Sequence, residues 1–169
     1  MAYRHWEEEM LGEYVAARLP GARVMMRVRL GPEMTARPGQ PPLDQAERRF
    51  LTGFRRWADA VAVDGGRLLV LEAAMIPQPG DISLLEHYCE LVPSTPDLDE
   101  LATLPCVGRL VWAIDDPAAR KLAVRHGLEV DIFRPSHWLE FAAAKIAQEN
   151  GQQKKLRPAG AAQRARTSG

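Results

Sequence analysis

Cysteine is nearly absent from this chain: Cys89 and Cys106 are the two thiols among 169 residues. They stand in unlike sequence contexts, so the spacing offers no Cys-x-x-Cys metal site, predicts no redox pair and excludes a disulfide scaffold. No apolar run approaches the roughly 20 residues that a membrane-spanning helix needs. The first residues, Met-Ala-Tyr-Arg-His-Trp-Glu-Glu-Glu, are acidic where a signal peptide would be basic and then apolar. The expectation is a soluble intracellular (cytoplasmic) domain with no membrane partner. No glycine-rich phosphate cradle is present, and the four histidines are scattered without ligand spacing. What remains is ordinary globular material, 46% hydrophobic, of a length that suits one domain with a sizeable core.

The net charge is zero but unevenly spread. Residues 1–150 hold 17 basic against 22 acidic groups, whereas 151–169 carry Lys154, Lys155, Arg157, Arg164 and Arg166 and no acid. This reads as a single folded domain over 1–150 and a flexible basic tail over 151–169. Such a tail can neutralise nucleic-acid phosphates, or it can serve solubility alone. The acidic body argues against capture of DNA by the whole surface.

Periodicity organises the body. Residues 5–19 read as an amphipathic helix stopped by Pro20-Gly21. Arg23–Leu30 alternates as a half-buried strand, with Arg23, Met25, Arg27 and Arg29 on one face, a cationic stripe. After a proline-rich loop and a short helix near Leu43–Phe50, two strand-like runs flank Asp64-Gly65-Gly66, a hairpin signal. Asp81 or Ser83 caps the next helix, to about Val92; a linker over 93–105 leads to a strand at Val107–Ile114. Asp116, Pro117 and Gly127 bracket a further helix, and a strand at Leu128–Phe133 precedes a last helix to about Gln148. Trp6, Trp57, Trp112 and Trp138 all fall within apolar periodicity and are expected in the core. The order predicts an α/β domain with a mixed β-sheet flanked by helices.

The hairpin brings two acids together. With Gly65-Gly66 as the loop, Asp59 lies opposite Glu72; with Asp64-Gly65 as the loop, the two become diagonal neighbours; a three-residue loop separates them. Opposed carboxylates in apolar strands need a cation, a donor or water between them. Hard divalent ions accept such oxygens and keep several waters. The other reading places both acids at solvated strand ends or against Arg27, Arg29 or Arg55.

An αβββαβ order with Asp59 in the second strand and Glu72 near the end of the third resembles the PD-(D/E)XK nuclease-like superfamily, with an extra C-terminal α-β-α extension on the restriction-endonuclease-like core. The resemblance implies that Asp59 and Glu72 are the catalytic, metal-holding pair for Mg²⁺. It also implies a lysine two residues beyond the glutamate, and here that position is Ala74. In RecB-like relatives a Gln-hydrophobic-x-x-Tyr motif follows; Leu84-Leu85-Glu86-His87-Tyr88 keeps Tyr88 and has Leu84 in place of the glutamine. Glu9 and Glu13 on the first helix are further candidates for the metal face. The degenerate motif implies a non-catalytic structural or assembly protein, or a DNA-binding component of a larger complex such as a virion or mobile-element machine, with protein partners and no cofactor. Arg23, Arg27, Arg29 and the tail cations would contact nucleic acid. The alternative is an active Mg²⁺-dependent endonuclease in which the lysine's role is met elsewhere.

Overall fold

Residues 6–156, apart from 34, 37 and 54, are described by the computed structural model. In chain order they form α1 (Trp6–Arg18), β1 (Arg23–Leu30), α2 (Gln45–Thr52), β2 (Arg56–Asp64), β3 (Arg67–Ala74) and α3 (Pro79–Leu91). Two 3₁₀ segments (Val92–Ser94 and Pro96–Thr103) follow, then β4 (Cys106–Trp112), α4 (Pro117–Arg125), β5 (Glu129–Ile132) and α5 (Trp138–Leu156). No helix among these residues is long and apolar enough to cross a membrane.

Local chemistry sets the element ends. In α2, Asp44 accepts the Glu47 amide and Glu47 accepts the Asp44 amide, each at 2.8 Å, a reciprocal cap. Helix α3 starts upstream of both residues expected to cap it: Pro79 takes the first turn, and Asp81 accepts the Gln78 amide at 2.8 Å from inside the helix. Asp116 caps α4 by accepting from the Ala118 and Ala119 amides, as expected. Gly65 and Gly66 both adopt positive φ (56° and 76°), which a primed two-residue turn requires.

The five strands lie in sequence order, β1-β2-β3-β4-β5. The first two pairings are antiparallel and the last two parallel. This mixed sheet flanked by helices, with the order αβββαβ and then α-β-α, is the restriction-endonuclease-like layout that the sequence implies. On one face α3 and α4 cover a core that includes Leu68, Val70, Ile82, Leu85, Leu110 and Trp112. Burial of each such side chain stabilises by about 1.5–3 kcal/mol. Contact with β4 is tight: a Cβ added at Gly108 would lie 2.7 Å from Leu128 and 2.9 Å from Leu85.

On the other face α1 buries Met10, Leu11 and Tyr14. The Tyr14 hydroxyl donates to Asp131 and accepts from Arg109, both at 3.1 Å. Arg109 Nε donates to Glu129 at 2.8 Å, and Arg67 donates to the other Glu129 oxygen at 2.9 Å. Burial alone would raise Glu129, yet the hydrogen bonds and charges of Arg109 and Arg67 hold it below the usual carboxylate range. This network ties α1, β3, β4 and β5 together.

Strict alternation in β1 fails at one point. Pairing keeps one register from Arg23↔Val63 to Leu30↔Arg56, yet the Arg27–Asp59 pair is missing from the ladder and Arg27 has φ 53°. Before it, Met25, Val61 and Val63 pack on the α3 side; after it, Val28, Leu30 and Ala58 do. The strand pair changes phase at Arg27–Asp59, so Arg23, Arg27 and Arg29 form no continuous stripe.

The chain divides into two compact units, 1–135 and 136–169. In the second, α5 continues eight residues past Gln148, so residues 151–156, expected in a flexible tail, are helical and Lys154 and Lys155 fall within that helix. Arg157, Arg164 and Arg166 lie outside the described residues.

Candidate metal and nucleic-acid site

The β2–β3 register pairs Asp64 with Arg67 and Val61 with Val70, the frame in which Asp59 stands across from Glu72. The backbone ladder ends one step short of them, at Ala60↔Leu71. There the strands part, and the Asp59 carboxylate takes the place of a main-chain acceptor, receiving the Ala73 amide at 2.9 Å. Both acids are partly buried. Glu72 Oε2 is buried with no donor among the described residues.

Burial penalises the charged form of both groups. Glu72 is pushed up to about 8, first by burial, then by the charge of Asp59, with Asp81 adding to it and the Asp59 amide easing it. Asp59 is raised by burial; the Ala73 amide offsets part of this, Glu7 and Glu8 add to it, and Arg27 opposes it. The charges of Glu7 and Glu8 on α1 thus reach Asp59. Tyr88, in α3, is buried in the α3-side core and is pushed up to about 12 by burial and by the charges of Glu72 and Asp59, with Arg56 acting the other way. The phenol therefore packs in the core and also borders the carboxylates as a protonated group.

Ala74 ends β3, paired with Trp112 of β4, and brings no charge to the site. The cations whose charge reaches these groups are Arg27, at Asp59, and Arg56, at Tyr88. Among the described residues no three His, Cys, Asp or Glu side chains form a metal cluster. A Mg²⁺-like ion, however, needs only one or two carboxylates and completes its shell with water and phosphate oxygens. Two neighbouring acids that burial disfavours as carboxylates, one with an orphaned oxygen, fit that demand.

The remaining sequence candidates spread out. Arg23 is exposed at the start of β1. Arg27 and Arg29 lean on Trp57, their guanidinium carbons 5.7 and 4.4 Å from its ring centroid. Trp57 itself, expected in the core, is 40% exposed. The two thiols, expected apart, interact: Cys89 is pushed up by its hydrogen bond to Cys106 and by burial, and Cys106 is lowered by the same bond. Sequence spacing carries no trace of that meeting, because it arises where α3 crosses the start of β4.

No family model and no curated protein matches the chain. Among solved structures it is similar to a repair endonuclease from Pyrococcus abyssi, at 21% identity and a TM-score of 0.49, covering 80% of this chain and 50% of that one. It is also similar to EndoMS in complex with double-stranded DNA (17% identity, 80% and 47% covered, TM-score 0.47). EndoMS in its apo form is a further match (19% identity, 80% and 49% covered, TM-score 0.47). The chain spans about half the length of each of these.

Proposed function

We propose that this chain is a nuclease-type module in which Asp59 and Glu72 hold a divalent ion at the β2–β3 fork and present it to a nucleic-acid phosphate. The observation that carries the reading is the buried, donor-less Glu72 Oε2 beside Asp59. Keeping two carboxylates in this setting costs stability at neutral pH, and a bound cation would remove that cost. Bound there, Mg²⁺ or Mn²⁺ would polarise a phosphoryl oxygen and acidify a water. The chain's own groups then have separate tasks. The Ala73 amide fixes the Asp59 rotamer. Tyr88 stays a neutral donor beside the pair. Arg27 sets a positive charge against Asp59.

Ala74 supports a second reading, a module that contacts DNA or a partner protein within an assembly without cutting. An alanine cannot activate water or balance developing charge. Plasmid nicking with Mn²⁺ separates the two. The nuclease reading expects metal-dependent nicking that Asp59→Ala abolishes and Ala74→Lys increases by about tenfold or more, the usual scale of one positioned acid–base group being larger still. Absence of nicking in both wild type and Ala74→Lys would leave only the assembly reading.

A further inference from the structure

Three unusual features meet at one place on the β1 edge. Arg27 is held in the left-handed region at φ 53°, which costs a non-glycine residue free energy. Arg29 Nε is buried and finds no acceptor among the described residues. The two guanidiniums crowd the same indole, at 5.7 and 4.4 Å from the Trp57 centroid. Around them opens a cavity of about 490 Å³ lined by Met25, Arg27, Val28, Arg29, Trp57 and Asp97. Arg55 braces its floor, donating to the Arg29 carbonyl at 2.9 Å and to Asp97 at 3.0 Å. The volume falls within the range of small-ligand sites.

A bound anion would take charge-assisted hydrogen bonds from the guanidiniums and give Arg29 Nε its acceptor. The half-exposed indole adds a flat apolar surface that a free phosphate has no use for. Together they match one unit of nucleic acid, a phosphate and the base beside it. A base inside a duplex cannot lay its face on a side chain, whereas an unpaired one can. We infer that Arg27, Arg29 and Trp57 form a docking site for an unpaired nucleotide of single-stranded nucleic acid, the base stacking on Trp57 and the adjacent phosphate held by the two arginines. Trp57 lies two residues before Asp59 on β2, so the docking site neighbours the carboxylates. The role of those carboxylates rests on the function proposed above; docking does not.

The test is fluorescence anisotropy of the full chain with labelled oligothymidylate, oligouridylate and a short DNA duplex, in EDTA so that no divalent ion contributes. At least one single strand should bind about tenfold or more tighter than the duplex, and which of the two wins assigns DNA or RNA. Trp57→Ala should weaken that binding about tenfold, the scale of one lost stacking contact, and Trp57→Phe should largely restore it. Arg27→Gly should weaken binding while raising the melting temperature, because glycine accepts the backbone conformation that strains arginine. Melting curves establish that each variant folds, and Trp57→Phe, which keeps a ring, separates stacking from packing. Duplex binding as tight as either single strand, or single-strand binding unchanged in Trp57→Ala, overturns the proposal. Mn²⁺ titration of the same protein without EDTA reports on Asp59 and Glu72 alone, so failure there leaves the pocket standing, and the reverse holds.

Discussion

Two acid-containing clusters sit in one sheet and have opposite fates. Around Glu129, the oxygens receive hydrogen bonds from Arg109 and Arg67, and the carboxyl is held below its ordinary range. Around Glu72, one oxygen has no donor, the nearest strong influence is another acid, and the carboxyl rises to about 8. The first arrangement is complete and binds strands and helix together. The second is incomplete: among the described residues, Glu72 Oε2 is the one buried carboxylate oxygen without a donor. That contrast is what supports the proposed reading of the β2–β3 fork as a cation site rather than a brace.

Breaking the complete cluster should have the largest effect. Arg109→Ala leaves one Glu129 oxygen without its donor while Arg67 keeps the other, and removes a donor from Tyr14. With Glu129 38% exposed and partly screened, the change should cost about 2.5 kcal/mol, the scale of hydrogen bonds to charged groups. Thermal melting should show it as a fall of roughly 5–10 °C for a chain of this size, with Mn²⁺ unable to compensate.

Breaking the incomplete cluster should act the other way. Glu72 binds a proton in the folded state up to about 8, well above its unfolded value near 4.3. Stability from that group is therefore present below the unfolded pKa and is lost as pH rises through about 8. In EDTA at pH 8, Glu72→Gln should stabilise the chain by about 2 kcal/mol, or roughly 4–8 °C, and should flatten the fall in melting temperature between pH 5 and pH 8. A Gln variant that melts lower than wild type across that range would remove the asymmetry between the clusters.

A smaller effect sharpens the comparison. Asp59→Ala strips the acceptor from the Ala73 amide and should cost about 1 kcal/mol at pH 5, where Glu72 holds its proton. At pH 8 the same variant should cost less, because the negative charge that raises Glu72 is gone. Equal costs at both pH values would mean that the two carboxylates do not act on each other.

How much of this was legible in the sequence follows from which forces are local. The Gly65-Gly66 turn, the Asp116 cap and the alternation of apolar strands are written in neighbouring residues, and they give the order of elements along the chain and, as one of three frames, the one that sets Asp59 across from Glu72. Helix α3 began earlier than its capping pattern suggested because Pro79 is compatible with a first turn, and Asp81 serves equally well from the third position. The phase change at Arg27 could not be read, since an arginine at positive φ violates the preference on which reading depends. The same phase change breaks the arginine stripe. The meetings of Glu7 and Glu8 with Asp59, of Tyr88 with the carboxylates, and of Cys89 with Cys106 depend on helices crossing strands far away in sequence.

The most direct measurement is calorimetric titration of the full chain with Mn²⁺ at pH 7 in two buffers of different ionisation enthalpy. The account predicts saturable binding of one ion accompanied by proton release from the Asp59–Glu72 pair, and no such binding in Glu72→Gln. Wild-type protein that takes up no Mn²⁺, or a Gln variant that takes it up unchanged, would contradict it.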